Sequence, residues 1–339
     1  MKIITEEILA ELIKRHGFEN YLKDLMQQLK NDFTRWQEFN KIPRPCMQVP
    51  NGVEELMPIC DDKYFTFKYV NLHPKNPHLG LMTIVATGQL ARIDTGYPLM
   101  FSEMTVQTAL RTAATTALAT DLMSRKNSHI LAMVGTGAQS EFLVKGICLV
   151  REITEVRYFD IDSSAMDKFE KNMKGSRFKL VRCQDTEEAV RGADIITTCT
   201  ACKAHVDVVK DKWVVSGVHI NAIGGDSVGK TELELPILSR SRIVVEYLDQ
   251  SVAEGEIQRW SEKEAREKVY AELHELITAA KTARENEQQI TLYDSVGMAL
   301  EDYSVLRFTY ELSERYNLGQ DMNLTPVLAD PKNLISLLQ

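Results

Sequence analysis

Long hydrophobic runs are missing from this 339-residue chain. No apolar stretch approaches the roughly twenty residues that a membrane-spanning helix needs, so no membrane partner is expected. The opening stretch, MKIITEEILAELIKRHG, carries acids inside its apolar pattern and does not read as a signal peptide. Positive charge is also short. Lys and Arg number 40 against 48 Asp and Glu, a formal net charge of −8, and no basic stripe interleaved with aromatics appears; both argue against a nucleic-acid surface. Cysteine is sparse and irregularly spaced, six in all, which excludes a disulfide framework and points to a reducing compartment, the cytoplasm. Cys199 and Cys202 do form C-x-x-C with His205 nearby, a pattern open to zinc or a redox dithiol. A structural zinc site needs a second ligand pair, none is evident, and no metal is expected. Repeats, low-complexity tracts and glycine-rich linkers are absent too.

What remains is a soluble globular composition, 44% apolar, in a chain longer than one hydrophobic core comfortably serves, so two domains are expected. The most informative stretch runs from His129 to Asp162. An apolar run (ILAMV) is followed by Gly135-Thr136-Gly137-Ala138-Gln139-Ser140, then by a periodic apolar segment and a second strand, VRYFDID. This reads as strand, glycine turn, helix, strand. Gly135 would permit the turn and Gly137 would let backbone approach a pyrophosphate, which free N–H groups and the dipole of a helix N-terminus favour. Asp160, about twenty residues on and at a strand end, would accept hydrogen bonds from ribose hydroxyls and repel a 2′-phosphate, which predicts NAD over NADP. Ser140 stands where the third glycine of the fingerprint is usual. The plainer alternative is an ordinary glycine turn with a solvated aspartate.

Residues 5–39 carry apolar positions at helical spacing, as in Ile8, Leu9, Leu12, Leu22, Leu25 and Leu29, and predict surface helices with one buried face. Prolines on both sides of Arg44 hold that arginine in extended backbone. A guanidinium so fixed suits a carboxylate, although a solvent-exposed loop arginine fits equally. Short strands follow from Glu54 to Gly96, with Asp94-Thr95-Gly96 as a hairpin turn. In YFTFKYV, Phe65, Phe67 and Tyr69 share one face and Thr66, Lys68 and Val70 the other. Lys68 is ordinarily solvated in that position, and Glu55 ordinarily a surface acid; if the second face lines a cavity, they become a cation and an anion inside a site. Residues 102–125, rich in Ala and Thr, predict a buried helix whose Arg111 needs an anionic partner, either a ligand or an internal salt bridge.

Beyond Asp162 the pattern alternates strand and helix, predicting a doubly wound parallel sheet. Ligands bind beyond the carboxyl ends of such strands, which draws attention to Thr200, to Asn221-Ala222-Ile223-Gly224-Gly225-Asp226 and to Asp294-Ser295-Val296-Gly297. Asp226, directly after two glycines, is the carboxylate placed to project into a cleft for acid–base work. Against that stands a turn, with Thr231 and Glu234 capping the next helix. Residues 260–289, dense in Lys and Glu, read as an exposed helical excursion. The whole is an α/β protein: a Rossmann-type doubly wound parallel sheet (113–318) inserted in a smaller α+β substrate-binding and dimerisation domain (1–112 plus 319–339).

The blocks ELMPICDDKYFTFKYVNLHP, GYPLMFSEMTVQTALRTAAT, MVGTGAQSEF, NAIGGDSVGKTEL, VEYLDQSVAEGEIQ and LYDSVGMALEDYSVLRF together resemble the ornithine cyclodeaminase and mu-crystallin family. The resemblance covers most of the chain, from about Arg44 to Phe308, and departs mainly in residues 260–289. It implies conversion of L-ornithine to L-proline and ammonia with NAD recycled in every turnover. It further implies that Arg44, Lys68 and Arg111 hold the substrate carboxylate, Glu55 meets the distal amine and Asp226 is catalytic. Cofactor contacts carried over in the same way are Thr83, Arg111, Ala138, Gln139, Asp160, Thr200, Asn221, Ala222, Ile223, Gly224, Lys230 and Ser295, beside Gly135 and Gly137 of the turn. A homodimer is expected. Alternatives of the same fold are an amino-acid dehydrogenase or ketimine reductase, a lysine cyclodeaminase, and a non-catalytic nucleotide-binding protein of the crystallin kind.

Overall fold

The structure is a computed structural model describing residues 1–201 and 204–339; Cys202, half of the C-x-x-C pattern, lies outside the described residues. Two eight-stranded sheets organise it. In the first, strands Gly52–Cys60, Tyr64–Leu72, Ile84–Arg92 and Pro98–Glu103 run antiparallel, each to the next. Lys2–Ile4 extends its edge, parallel to Pro98–Glu103 and antiparallel to Gln320–Asp321. The expected turn at Asp94-Thr95-Gly96 closes with the Gly96 N–H on the Arg92 carbonyl, Gly96 having φ +70°.

The alternation in Tyr64–Leu72 is as expected, but its sense is the reverse of an aromatic core face with a solvated lysine. Thr66, Lys68 and Val70 are buried, while Phe65, Phe67 and Tyr69 are half-buried on the outer face. A period of two separates the faces without saying which meets the core. Helices Phe18–Thr34 and Ala299–Tyr316 pack together and carry the core, the latter lying on Gly52–Cys60, Tyr64–Leu72 and Ile84–Arg92. Glu6–His16 and Phe18–Thr34 bury Leu9, Leu12, Leu22, Leu25 and Leu29 on their apolar stripes, and Thr5 caps the first by accepting the Ile8 N–H.

The second sheet is parallel throughout. Its order is Lys179–Arg182, Glu155–Phe159, Ile130–Val134, Ile195–Thr198, His219–Ala222, Ile290–Asp294, Ser241–Val245, Ala271–Glu272. The chain reverses its direction of travel across the sheet between Ile130–Val134 and Ile195–Thr198, which is the switch point where a doubly wound sheet opens a crevice. Helix Thr105–Met123 joins the two halves. Every residue from Gln107 to Thr120 is buried, because it packs on Phe18–Thr34, Ser140–Val150 and Ala299–Tyr316 at once. Gly146 makes the closest of these approaches possible: a Cβ there would stand 2.7 Å from the Ala113 carbonyl oxygen.

Two expectations need correction. Residues 260–289 are not an exposed helical excursion: Trp260, Ala265, Ala271, Leu273 and Leu276 are buried, Ala271–Glu272 is the edge strand of the parallel sheet, and Leu273–Ile277 packs on Phe18–Thr34. The charge density hid a sparse apolar set. Thr231 does not start a capping box; Thr231–Leu233 is a strand paired with His205–Val209, and the helix Leu235–Ser239 has no side-chain cap. The helix Thr105–Met123 spans position 112, and the helix Ala299–Tyr316 brings the chain back onto the first sheet. Helical periodicity does not reveal which sheet a helix covers. Among the described residues no helix is long and apolar enough to cross a membrane.

Candidate active site

A cleft lies between the two sheets, and Arg44, Glu55, Lys68, Arg111, Gln139, Ile223, Asp226 and Ser295 all line it. Local structure brings each there. Glu55 and Lys68 share the inner face of adjacent strands, Met57 pairing with Lys68 and Glu55 with Val70. Arg111 projects from the buried helix, Gln139 immediately precedes the helix Ser140–Val150, and Asp226 and Ser295 follow the ends of parallel strands.

Each buried cation has an acid. Lys68 Nζ is 2.9 Å from Asp302 Oδ1, Arg111 Nη1 is 2.5 Å from Glu301 Oε2, and Arg111 Nε is 3.3 Å from Asp302 Oδ1. The internal salt bridge entertained for Arg111 is therefore real, yet the guanidinium still borders the cleft. Burial pushes the Lys68 ammonium down to about 8, Asp302 opposing that shift and Arg111 adding to it. Arg44 donates from Nε and Nη2 to both carboxylate oxygens of Glu254, at 3.0 Å and 2.5 Å for Oε2. Nη2 also donates to the carbonyls of Asp226 and Val296, and Nη1 stands 3.4 Å from Glu55 Oε2. So the fork expected to grip a ligand's carboxylate holds one from the protein, leaving Nη1 toward Glu55. Burial raises the pKa of Glu55, with Arg44 partly offsetting it.

Asp226 is fixed from two sides. Arg44 holds its carbonyl at 2.9 Å, and Lys230 Nζ lies 3.0 Å from its Oδ1. Burial alone would lower the Lys230 pKa; Asp226 and Glu232 reverse the sign, so the ammonium stays charged. Ser295 donates to Glu246 Oε1 at 2.6 Å, and Glu246 also accepts from Tyr293 and from the N–H groups of Val296 and Gly297. The fully buried Glu301 is held well above the usual carboxylate range by burial and by Glu246.

The glycine turn fits a dinucleotide. Gly135 has φ +93°, and a Cβ there would sit 2.5 Å from the Cys199 carbonyl oxygen; Gly137 has open space where a Cβ would be. Ser140, in place of the third glycine, donates to the Gly137 carbonyl at 2.8 Å and closes the turn. Asp160 Oδ2 accepts the Thr136 N–H at 2.6 Å, which sets the carboxylate beside the turn. Ala138 is exposed above the helix start, and Gln139 Oε1 is buried without a partner among the described residues, as an atom awaiting a ligand donor would be. Other expected contacts turn inward. Asn221 bonds Thr120, Thr197 and His219, Ala222 is buried, and Thr200 donates to Glu232. Thr83 gives its carbonyl to the His73 N–H, and its neighbour Ile84 lines the cleft in its place. Among the described residues no cluster of His, Cys, Asp and Glu could hold a metal ion.

A family model described as ornithine cyclodeaminase/mu-crystallin matches residues 7–316. The chain belongs to this family. A curated family relative, an ornithine cyclodeaminase of Brucella suis biovar 1, is 44% identical over 335 residues, 99% of this chain and 92% of its own. Among solved structures, an archaeal alanine dehydrogenase dimer with bound NAD superposes with a TM-score of 0.88 at 32% identity, covering 96% of this chain and 99% of that one. A lysine cyclodeaminase, described as recognising L-lysine, L-ornithine and L-2,4-diaminobutyric acid, gives 0.90 at 27%, covering 98% of each. These relatives share the two-sheet architecture and the Rossmann-type parallel sheet.

The acids Glu254, Glu301, Asp302, Glu246 and Glu232 escaped sequence reasoning. One signal was available: three cations predicted inside one cleft demand compensating acids, and LEDYS supplies two at a helix start.

Proposed function

We propose that this protein is an NAD-dependent ornithine cyclodeaminase, converting L-ornithine to L-proline and ammonia. The observation that carries the reading is the convergence of Arg44, Lys68, Arg111, Glu55 and Asp226 on one cleft beside the glycine turn, in a chain similar over its length to ornithine cyclodeaminases. NAD, when bound, would supply the hydride acceptor that turns the substrate α-carbon into an imine and the donor that reduces the ring afterwards. Everything else falls to the chain. Lys68, Arg111 and the Nη1 of Arg44 orient the α-carboxylate, and Glu55 receives the distal ammonium. Asp226 accepts the proton that the δ-nitrogen loses as it attacks the imine carbon, a role commonly worth about 10²- to 10⁴-fold. Holding both ends of the substrate in one cleft makes ring closure an intramolecular step of high effective molarity.

Gly135, Gly137, Ala138, Gln139 and Asp160 would hold the dinucleotide. The working form in this reading is a cytoplasmic homodimer in proline biosynthesis. The free thiols of Cys46, Cys60, Cys148, Cys183 and Cys199 support a reducing compartment. The test is to supply catalytic NAD with ornithine or lysine separately and measure ammonia, proline and NADH absorbance. Proline and ammonia in equal amounts from ornithine, without net NADH, are expected. Stoichiometric NADH would mark a dehydrogenase, preference for lysine would move the substrate, and nucleotide binding without turnover would mark a crystallin-like protein.

A further inference from the structure

The ends of strands Ile195–Thr198 and His219–Ala222 flank an acid for which the reaction above has no use. Glu232, on Thr231–Leu233, is 1% exposed. Its Oε1 accepts the Thr200 N–H at 2.7 Å and the Thr200 hydroxyl at 2.5 Å. Its Oε2 is buried and has no hydrogen-bond partner among the described residues. The carboxyl group lies directly against Gly224, where an added methyl would overlap it. Thr200 and Gly224 follow neighbouring parallel strands, on the side of the sheet where ligands bind, and the Gly135 turn abuts the Cys199 carbonyl and the Thr200 N–H. Lys230, two residues earlier, meets Asp226 at 3.0 Å. This short segment therefore offers a cation to the catalytic aspartate and an anion to the strand ends.

A buried carboxylate oxygen without a donor costs more than the hydrogen bond it lacks would contribute. A ligand that brings a donor and a positive charge removes that cost. We propose that Glu232 holds the nicotinamide half of NAD, an inference resting on the cofactor reading above: its free oxygen accepts an N–H or O–H from the carboxamide or ribose, and its charge favours the oxidised, cationic ring over the neutral reduced one. An enzyme that must regain its oxidised cofactor after every turnover benefits from such a bias.

The experiment measures dissociation constants for NADH, by its fluorescence, and for NAD, by displacement of NADH, in the wild type, Glu232→Gln and Glu232→Asp. Glu232→Gln is expected to weaken NAD binding by about tenfold and NADH by less than about twofold. Glu232→Asp, which keeps the charge, is expected to retain the wild-type ratio of the two constants and serves as the decisive arm if the glutamine variant does not fold. Parallel loss of both nucleotides in Glu232→Gln, an unchanged ratio there, a lost ratio in Glu232→Asp, or a wild type that binds neither nucleotide overturns the proposal. Ornithine turnover plays no part in these measurements, so a protein that binds NAD and cyclises nothing would refute the proposed function and leave this test intact.

Discussion

Asp226 is anchored through its backbone by Arg44 and through its side chain by Lys230, so replacing its carboxylate leaves the surrounding framework in place. Asp226→Asn should lower kcat by at least about 10²-fold while NAD binds with near-normal affinity. Retained turnover would remove the residue from its role. Lys68 makes a separate statement about pH. Burial lowers its ammonium to about 8 from the ordinary lysine value of 10.5. A lysine depressed in the fold costs stability while it is charged, and that cost is relieved as pH climbs from about 8 toward 10.5. For function the sign is opposite, because only the charged form grips a carboxylate. The wild-type KM for ornithine should rise above about pH 8, and Lys68→Arg, whose charge persists, should keep KM flat there; identical profiles would disprove the assignment. At this scale the sequence identifies side chains better than partners. Prolines flanking Arg44 and alternation around Lys68 were readable, but Glu254 lies 210 residues from Arg44 and Asp302 lies 234 from Lys68, and nothing local announces such pairs.

Elements bind to one another here through buried acids as much as through apolar packing. Asp294, at the end of Ile290–Asp294, accepts the N–H groups of Glu256 and Ile257; Glu256 in turn accepts those of Glu232 and Leu233. The chain of carboxyls laces three segments beneath the strand ends. Burial raises Asp294 to about 7 and, with Asp294 beside it, lifts Glu256 well above the carboxylate range. A carboxyl raised in the fold stabilises it most below its unfolded value, and the contribution is lost as pH rises through the folded one. Thermal stability should therefore decline between about pH 4 and 7 through Asp294, and Asp294→Asn should flatten that slope; an unaltered slope in a melting series would reject it. Contact between the helices Thr105–Met123 and Ser140–Val150 is tested by Gly146→Ala. With the Ala113 carbonyl oxygen 2.7 Å from the added methyl, the backbones must part, at about 1–3 kcal/mol, read as a lowered midpoint in urea. The strand–turn–helix unit at Gly135 was legible because steric demands at a glycine turn are local. The edge strand Ala271–Glu272 was not, because two residues among charges carry no period.

At the scale of the molecule, the first sheet is finished on one side only. Its inner face meets Ala299–Tyr316 and the cleft, whereas its outer face presents Leu56 and Val85, 46% and 41% exposed, beside the half-buried Phe65, Phe67 and Tyr69. Leu56 pairs with Tyr69, which pairs with Thr87, so these side chains form one contiguous patch across three strands. Exposed Met47 lies on the strand Cys46–Val49, paired with Gly52–Cys60, and exposed Leu79, Leu81 and Met82 lie in the connection between Tyr64–Leu72 and Ile84–Arg92. An apolar patch this continuous marks an association surface, and a self-complementary two-fold contact is the commonest way for one chain to cover it. We expect a second copy to pack here, sheet against sheet. Light scattering on a sizing column should give twice the 38.5 kDa chain mass for the wild type. Leu56→Arg combined with Val85→Glu places charges on the outer face of two strands without touching the cleft, and should return the monomer mass with NAD still bound. A wild type that runs as a monomer, or a double variant that remains dimeric, would mean that some other surface, or none, joins the subunits.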